Sequence, residues 1–214
     1  IHRFIWDLRK EGSTKVRGNK LAGEAVNGRF VLPGTYQARL TVGAATQTVS
    51  FEVVNDPRVT TTSAELAEQA AAIDEIYAKI SAIHEGIATL RVVRTQAQSW
   101  AERLAGKSGG AAVVDAAKAL IGKLDAIEDV LILPGEQEDT FGLNQPARLN
   151  AKLASLIPIM ASADRRPTTQ SRALFKKYAA VADQQLSDLH ALLNDDLETL
   201  NSLIQDANVP GIVI

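Results

Sequence analysis

The chain has 214 residues, 46% of them hydrophobic, a net charge of −2 and no cysteine. That is enough apolar material for a proper core, and the absence of thiols excludes disulfides, thiolate metal sites and cysteine nucleophiles. Nine Lys/Arg stand against five Asp/Glu in residues 1–58, and fourteen against twenty in residues 59–214, so the acidic second part argues against a nucleic-acid partner.

No run approaches the ~20 apolar residues of a membrane span, and no charged-then-apolar leader opens the sequence. Ile1 stands inside a strand-like run, which is expected to be the cut end of a longer chain. Phe4, Trp6 and Leu8 alternate with Arg3 and Asp7, and this period of two predicts a strand. Residues 10–28 are rich in Lys, Gly and Asn and predict a loop. Leu32-Pro33-Gly34-Thr35 carries the proline and glycine of a type II turn. Tyr36, Ala38, Leu40 and Val42 then share one face, as do Val49, Phe51 and Val53 after a turn at Gly43-Ala44-Ala45. The polar residues between them predict a hairpin with one wet side. Three or four strands are too few for an immunoglobulin-like sandwich, which needs about seven. Residues 1–57 are therefore expected to be a partial immunoglobulin- or fibronectin-like module whose N-terminal strands are missing. Its open edge predicts a cover: a protein partner, a second copy of the chain, or the helices that follow.

Asn55-Asp56-Pro57 ends the β pattern, and Thr62-Ser63-Ala64-Glu65 fits a capping box. A first helix is predicted over about 63–105, its stripe Leu66, Ala70, Ile73, Ile76, Ile80, Ile83, Ile87, Leu90, Ala97 and Leu104, with Arg94 and Ala101 in the gaps. Gly106-Lys107-Ser108-Gly109-Gly110 stops it. A second helix is predicted over about 111–133, with Val114, Ala117, Ile121, Leu124, Ile127 and Leu131 inward. A polar loop, 136–143, precedes a third over about 145–163, with Leu149, Leu153, Leu156 and Met160 inward and a kink expected at Pro158. The fourth runs over about 169–207, with Leu174, Tyr178, Val181, Leu186, Leu189, Leu193, Leu197, Leu200 and Ile204 inward. The fold class is thus α+β, mainly α. A partial β-sandwich module is followed, over 58–214, by an antiparallel up-down-up-down four-helix bundle.

Reactive constellations fail on spacing. Gly106-Lys107-Ser108 resembles the end of a P-loop, but Ala101 stands where the first glycine belongs and a helix precedes it. His84-Glu85 opens like a zinc-protease helix, but Ala88 holds the place of the second histidine. His84 and His190 could meet across two helices, the ordinary outcome being a histidine pair with no ligand. Asp195 and Asp196 are adjacent on a helix and point about 100° apart, unlike the facing carboxyls of a glycosidase. The acidic loop Glu136, Glu138 and Asp139 has only Phe141 as an aromatic wall. No catalytic residue, cofactor or metal site is predicted. Trp100, Phe141 and Arg148 remain as candidate interaction residues.

Four stretches carry a family resemblance: His2-Arg3-Phe4-Ile5-Trp6-Asp7-Leu8-Arg9, Leu32 to Val42, Asn55-Asp56-Pro57-Arg58-Val59, and Gln145-Pro146-Ala147-Arg148-Leu149-Asn150-Ala151-Lys152-Leu153. Their order resembles the C-terminal region of large secreted bacterial proteins with BNR-repeat, sortilin-like β-propellers, often labelled glycosyl-hydrolase-like. The resemblance implies an upstream propeller as partner, export to the periplasm, outer surface or medium, and any ligand site in that propeller. It implies no catalytic residue here. The expected role is an accessory or interaction module. The alternatives are an accessory part of a glycosyl hydrolase, with loop 136–143 contributing to a site completed by the propeller, and a free-standing helical oligomerisation module.

Overall fold

A computed structural model describes residues 3–17, 27–133 and 146–207. The protein is mainly helical, with two small antiparallel sheets. The first sheet pairs β1 (Arg9–Glu11) with β2 (Asn27–Phe30), and the second pairs β3 (Gly34–Val42) with β4 (Ala45–Val53). The helices are α1 (Ser63–Leu104), α2 (Ala111–Leu131), α3 (Leu149–Met160), α4 (Thr169–Asn194) and α5 (Asp196–Asp206).

The first strand lies later than the alternation predicts. Residues 3–7 form no strand, and Phe4 and Ile5 are exposed. The cause is local: Leu8 has a φ of 61°, which takes it out of extended geometry and bends the chain after Asp7. The Asp7 carboxylate accepts the Arg9 amide, and the Trp6 indole donates to the Arg9 carbonyl. Gly34 starts β3 instead of closing a type II turn, its φ of 158° lying far from the ~80° that turn needs. The β3–β4 hairpin has a two-residue loop, Gly43-Ala44, between the paired Val42 and Ala45. A positive φ at Gly43 alone (59°) makes it a type II′ turn, which suits the twist of the strands.

The predicted loop 10–28 proves to contain a strap. Residues 9–17 run extended along α1. Lys10 pairs with Asp74, the Thr14 amide donates to the Ser81 hydroxyl, and Arg91 donates to the Arg17 carbonyl. Ser13 is buried and Val16 packs on the core.

Thr62 and Glu65 form the reciprocal capping box at the start of α1. Every stripe residue of α1, from Leu66 to Leu104, is buried. Glycine supplies the turn to α2, with Gly106 and Gly109 at φ of 73° and 77°. Pro158 falls in the last turn of α3, which ends two residues later.

Paired side chains fix the directions of the helices. Arg94 of α1 bonds Asp125 and Glu128 of α2, so α2 returns antiparallel along the upper part of α1. His84 meets Asn150 at the start of α3, while Gln69 donates to the carbonyls of Met160 and Ala163 past its end. Helix α3 therefore also runs antiparallel to α1, along its lower part. Helix α4 runs parallel to α1: Arg172 pairs with Glu75, Asp183 with Lys79, and Leu186 and Leu189 lie against Gly86. Helix α5 carries on, and Asp196 pairs with Lys123 of α2. The described helices thus form three columns, with α2 and α3 placed one after the other. The sequence expectation of four helices side by side differs because periodicity reveals a buried face and not which neighbour buries it.

Two inward faces are rotated from expectation. On α2, Val113 and Leu120 are the buried positions, with Val114 and Ile121 on the flank. On α4, Ser171, Phe175, Ala182 and Leu189 point inward, while Leu174 and Val181 are exposed. Small Ser171 and Ala182 let α4 approach closely. The predicted fourth helix carries only an irregularity at Asp195 (φ −100°, ψ −58°): the Asp195 amide still donates to the Ala191 carbonyl and the Thr199 amide to the Asp195 carbonyl, so α5 continues α4.

Candidate functional site

Of the three candidate interaction residues, the two that are described, Trp100 and Arg148, lie apart. Trp100, near the end of α1, is half-buried against the core and stacks under the Arg103 guanidinium, 4.4 Å from the ring centroid. Phe141 and the acidic loop 136–143 lie outside the described residues. Arg148 is the N-cap residue of α3 and donates to Asp129 at 2.5 Å, while its Nε has no hydrogen-bond partner among the described residues. It lines a cleft of about 520 Å³ with Lys152, Lys177, Tyr178 and Val130, which Trp100 does not reach.

Polar groups at the helix interfaces serve packing. Glu128 is 1% exposed and accepts from Arg91 Nε at 2.7 Å and from Arg94. Burial works against the charge on Arg94, but Asp125 and Glu128 outweigh it and raise its pKa. Burial would likewise raise the Asp74 pKa, yet bonds from Arg29 and Lys10 hold its carboxyl below the usual range. His84 is buried between the Thr14 carbonyl and Asn150, whereas His190 is exposed. Asp196 faces Lys123. Among the described residues no group of three or more His, Asp or Glu converges as metal ligands. No helix there is long and apolar enough to cross a membrane.

The surface that stands out is the apolar face of the β3–β4 ribbon. Period-two alternation puts Tyr36, Ala38, Leu40 and Val42 beside Phe51, Val49, Gln47 and Ala45 in register. At the base of the ribbon, Trp6 packs on Tyr36 and Phe51 with ring centroids 5.6 and 6.0 Å away. Beyond that cluster the face is open: Leu40 is 63% exposed, Val42 68%, Val49 63%, and the neighbouring Phe4 89%. The other face carries Thr41, Arg39, Gln37 and Thr35 against Thr46, Thr48, Ser50 and Glu52. Among the described residues no third strand joins either edge. A lone two-stranded ribbon is marginal in water, and three or more strands with a shared apolar face are the usual stable unit. Sequence alternation marks this face, but only coordinates reveal that the helices leave it uncovered.

No family model matches the chain, and no curated protein or solved structure is significantly similar to it.

Proposed function

We propose that this chain is a non-catalytic accessory module at the C-terminal end of a larger exported β-propeller protein. In this reading the β3–β4 ribbon is one part of an immunoglobulin-like module, completed by a further β layer of the same polypeptide, and the helical columns are a brace or spacer behind it. The observation that carries it is the open apolar face around Leu40, Val42 and Val49.

The size of that face favours a tethered occupant. Two nine-residue strands make a surface about 30 Å long and about 10 Å wide, or roughly 300 Å². An independent partner needs about 800 Å² on each side. Two copies meeting through this face would bury about 600 Å² in total, half of the ~1,200 Å² at the low end of specific interfaces. A covalently joined layer escapes the cost of association and can use a small face. Asp74, Glu75, Asp125, Glu128, Asp129, Asp183 and Asp196 are each held by a basic side chain.

Stability measured in two contexts tests the proposal. In the isolated chain, Leu40→Ser with Val49→Ser should change urea stability by less than about 1 kcal/mol, since both side chains are exposed. In the parent protein the same pair should cost about 3 kcal/mol, the value of two buried aliphatic side chains. Equal effects in the two contexts would argue against a covering layer.

A further inference from the structure

We propose that Arg3–Asp7 is one strand of the layer that covers the β3–β4 ribbon, and that it takes a further strand of the parent polypeptide by main-chain pairing. The step rests on the ribbon's apolar face being covered by that polypeptide.

Residues 3–7 run without a turn or bend until Leu8. The Trp6 ring centroid lies 5.6 Å from Tyr36 and 6.0 Å from Phe51, which are partners across the ribbon. Phe4 lines a hollow with Ala38, Leu40 and Val49, farther toward the hairpin turn. Side chains two residues apart on an extended chain stand about 7 Å apart, and so do successive rows on one face of a strand. Phe4 and Trp6 therefore keep step with the rows of the ribbon, and Arg3–Asp7 runs antiparallel to β3 along its apolar face. Ile5, between them, is 77% exposed. One face is set toward the ribbon and the other is turned away, as in two sheets packed in near alignment.

Leu8 is the corner at which the chain leaves this layer. A φ of 61° is uncommon for a residue with a side chain, and the neighbours hold it in place. The Asp7 carboxylate accepts the Arg9 amide at 3.0 Å, the Trp6 indole donates to the Arg9 carbonyl at 2.9 Å, and the Leu8 carbonyl accepts the Val31 amide at 2.8 Å. Past the corner, Arg9–Glu11 is β1, held in the ladder with β2. A chain that passes from one sheet to another turns at such a bend.

Before the corner the main chain is unpaired. Among the described residues, no hydrogen bond joins a main-chain N–H or C=O of Arg3–Asp7 to another group. An extended segment with open N–H and C=O groups and one apolar side on a ribbon is a template for another strand. Five residues of edge are too short to hold an independent molecule. A covalently joined strand escapes the cost of association, so the parent polypeptide is the source that fits.

Residue-resolved amide exchange on the parent protein and on the isolated chain tests this. In the parent, at least one alternate set, Arg3, Ile5 and Asp7 or Phe4 and Trp6, should exchange roughly a hundredfold more slowly than in the isolated chain, the mark of a ladder. Phe4→Ser should lower the folding equilibrium constant of the parent roughly a hundredfold, and Ile5→Ser less than about tenfold. Unchanged exchange over 3–7 would overturn the proposal, as would equal effects of the two substitutions. Protection that arises in the isolated chain as its concentration is raised would assign the pairing to a second copy and overturn it too. Should Phe4→Ser fail to fold, the exchange measurement needs no variant. Leu40→Ser with Val49→Ser keeps the two ideas apart. If that pair destabilises the parent while the amides of 3–7 exchange freely, the covering layer stands and this strand assignment falls. If the pair has no added effect in the parent, both fall.

Discussion

Gly28 shows how tightly the β1–β2 pair is built. A Cβ added there would stand 1.9 Å from the Lys10 carbonyl oxygen, a contact with backbone that no rotamer can relieve. Gly28→Ala is expected to separate the two strands and cost about 3 kcal/mol in urea unfolding, at the upper end of overpacking effects. A change within about 0.5 kcal/mol would show that the strands do not approach as described. The same region explains a failure of sequence reading. Phe4, Trp6 and Leu8 have a strand's alternation, yet the left-handed φ of 61° at Leu8 interrupts it. Alternation reports side-chain chemistry and is silent on one residue's φ. His84 was visible in the sequence only as a lone histidine without a metal-ligand partner. Its partners include a backbone carbonyl and an asparagine, and neither has a sequence signature.

Helix α1 was legible throughout, because its aliphatic side chains repeat at steps of three and four over 42 residues and are buried along the whole length. Helix α4 was less so. Its large aliphatics Leu174 and Val181 suggest one face, but the helix packs through the adjacent one, where small Ser171 and Ala182 alternate with Phe175 and Leu189. Size misleads there, since close approach selects small side chains at the contact. Two substitutions one residue apart separate the faces. Ala182→Leu should cost about 2 kcal/mol by overfilling a fully buried position, while Val181→Ser should cost less than about 1 kcal/mol. Thermal unfolding reads both, and the reverse order would restore the face that the sequence suggests. The strap was illegible for a different reason. Its residues bind largely through backbone amides and carbonyls, which every sequence possesses.

At the level of the molecule, three helical columns pack together, and the β3–β4 ribbon keeps one apolar face open. Helix α1, at 1.5 Å per residue, is about 63 Å long. Helices α2 and α3 divide its antiparallel side between them, and α4 with α5 runs the other way along the third column. The succession of α2 and α3 in one column was hidden because both carry the same period. The ribbon's face, by contrast, was legible as alternation, and its exposure gives the functional account its content: a small hydrophobic surface suited to a covalently joined neighbour. The most direct test places the photo-cross-linker p-benzoylphenylalanine at position 49 in the parent protein and maps the adduct. A link to an upstream β segment of the same polypeptide is the predicted outcome. Adducts to a second copy only, or no adduct beyond reaction with water, would contradict the account.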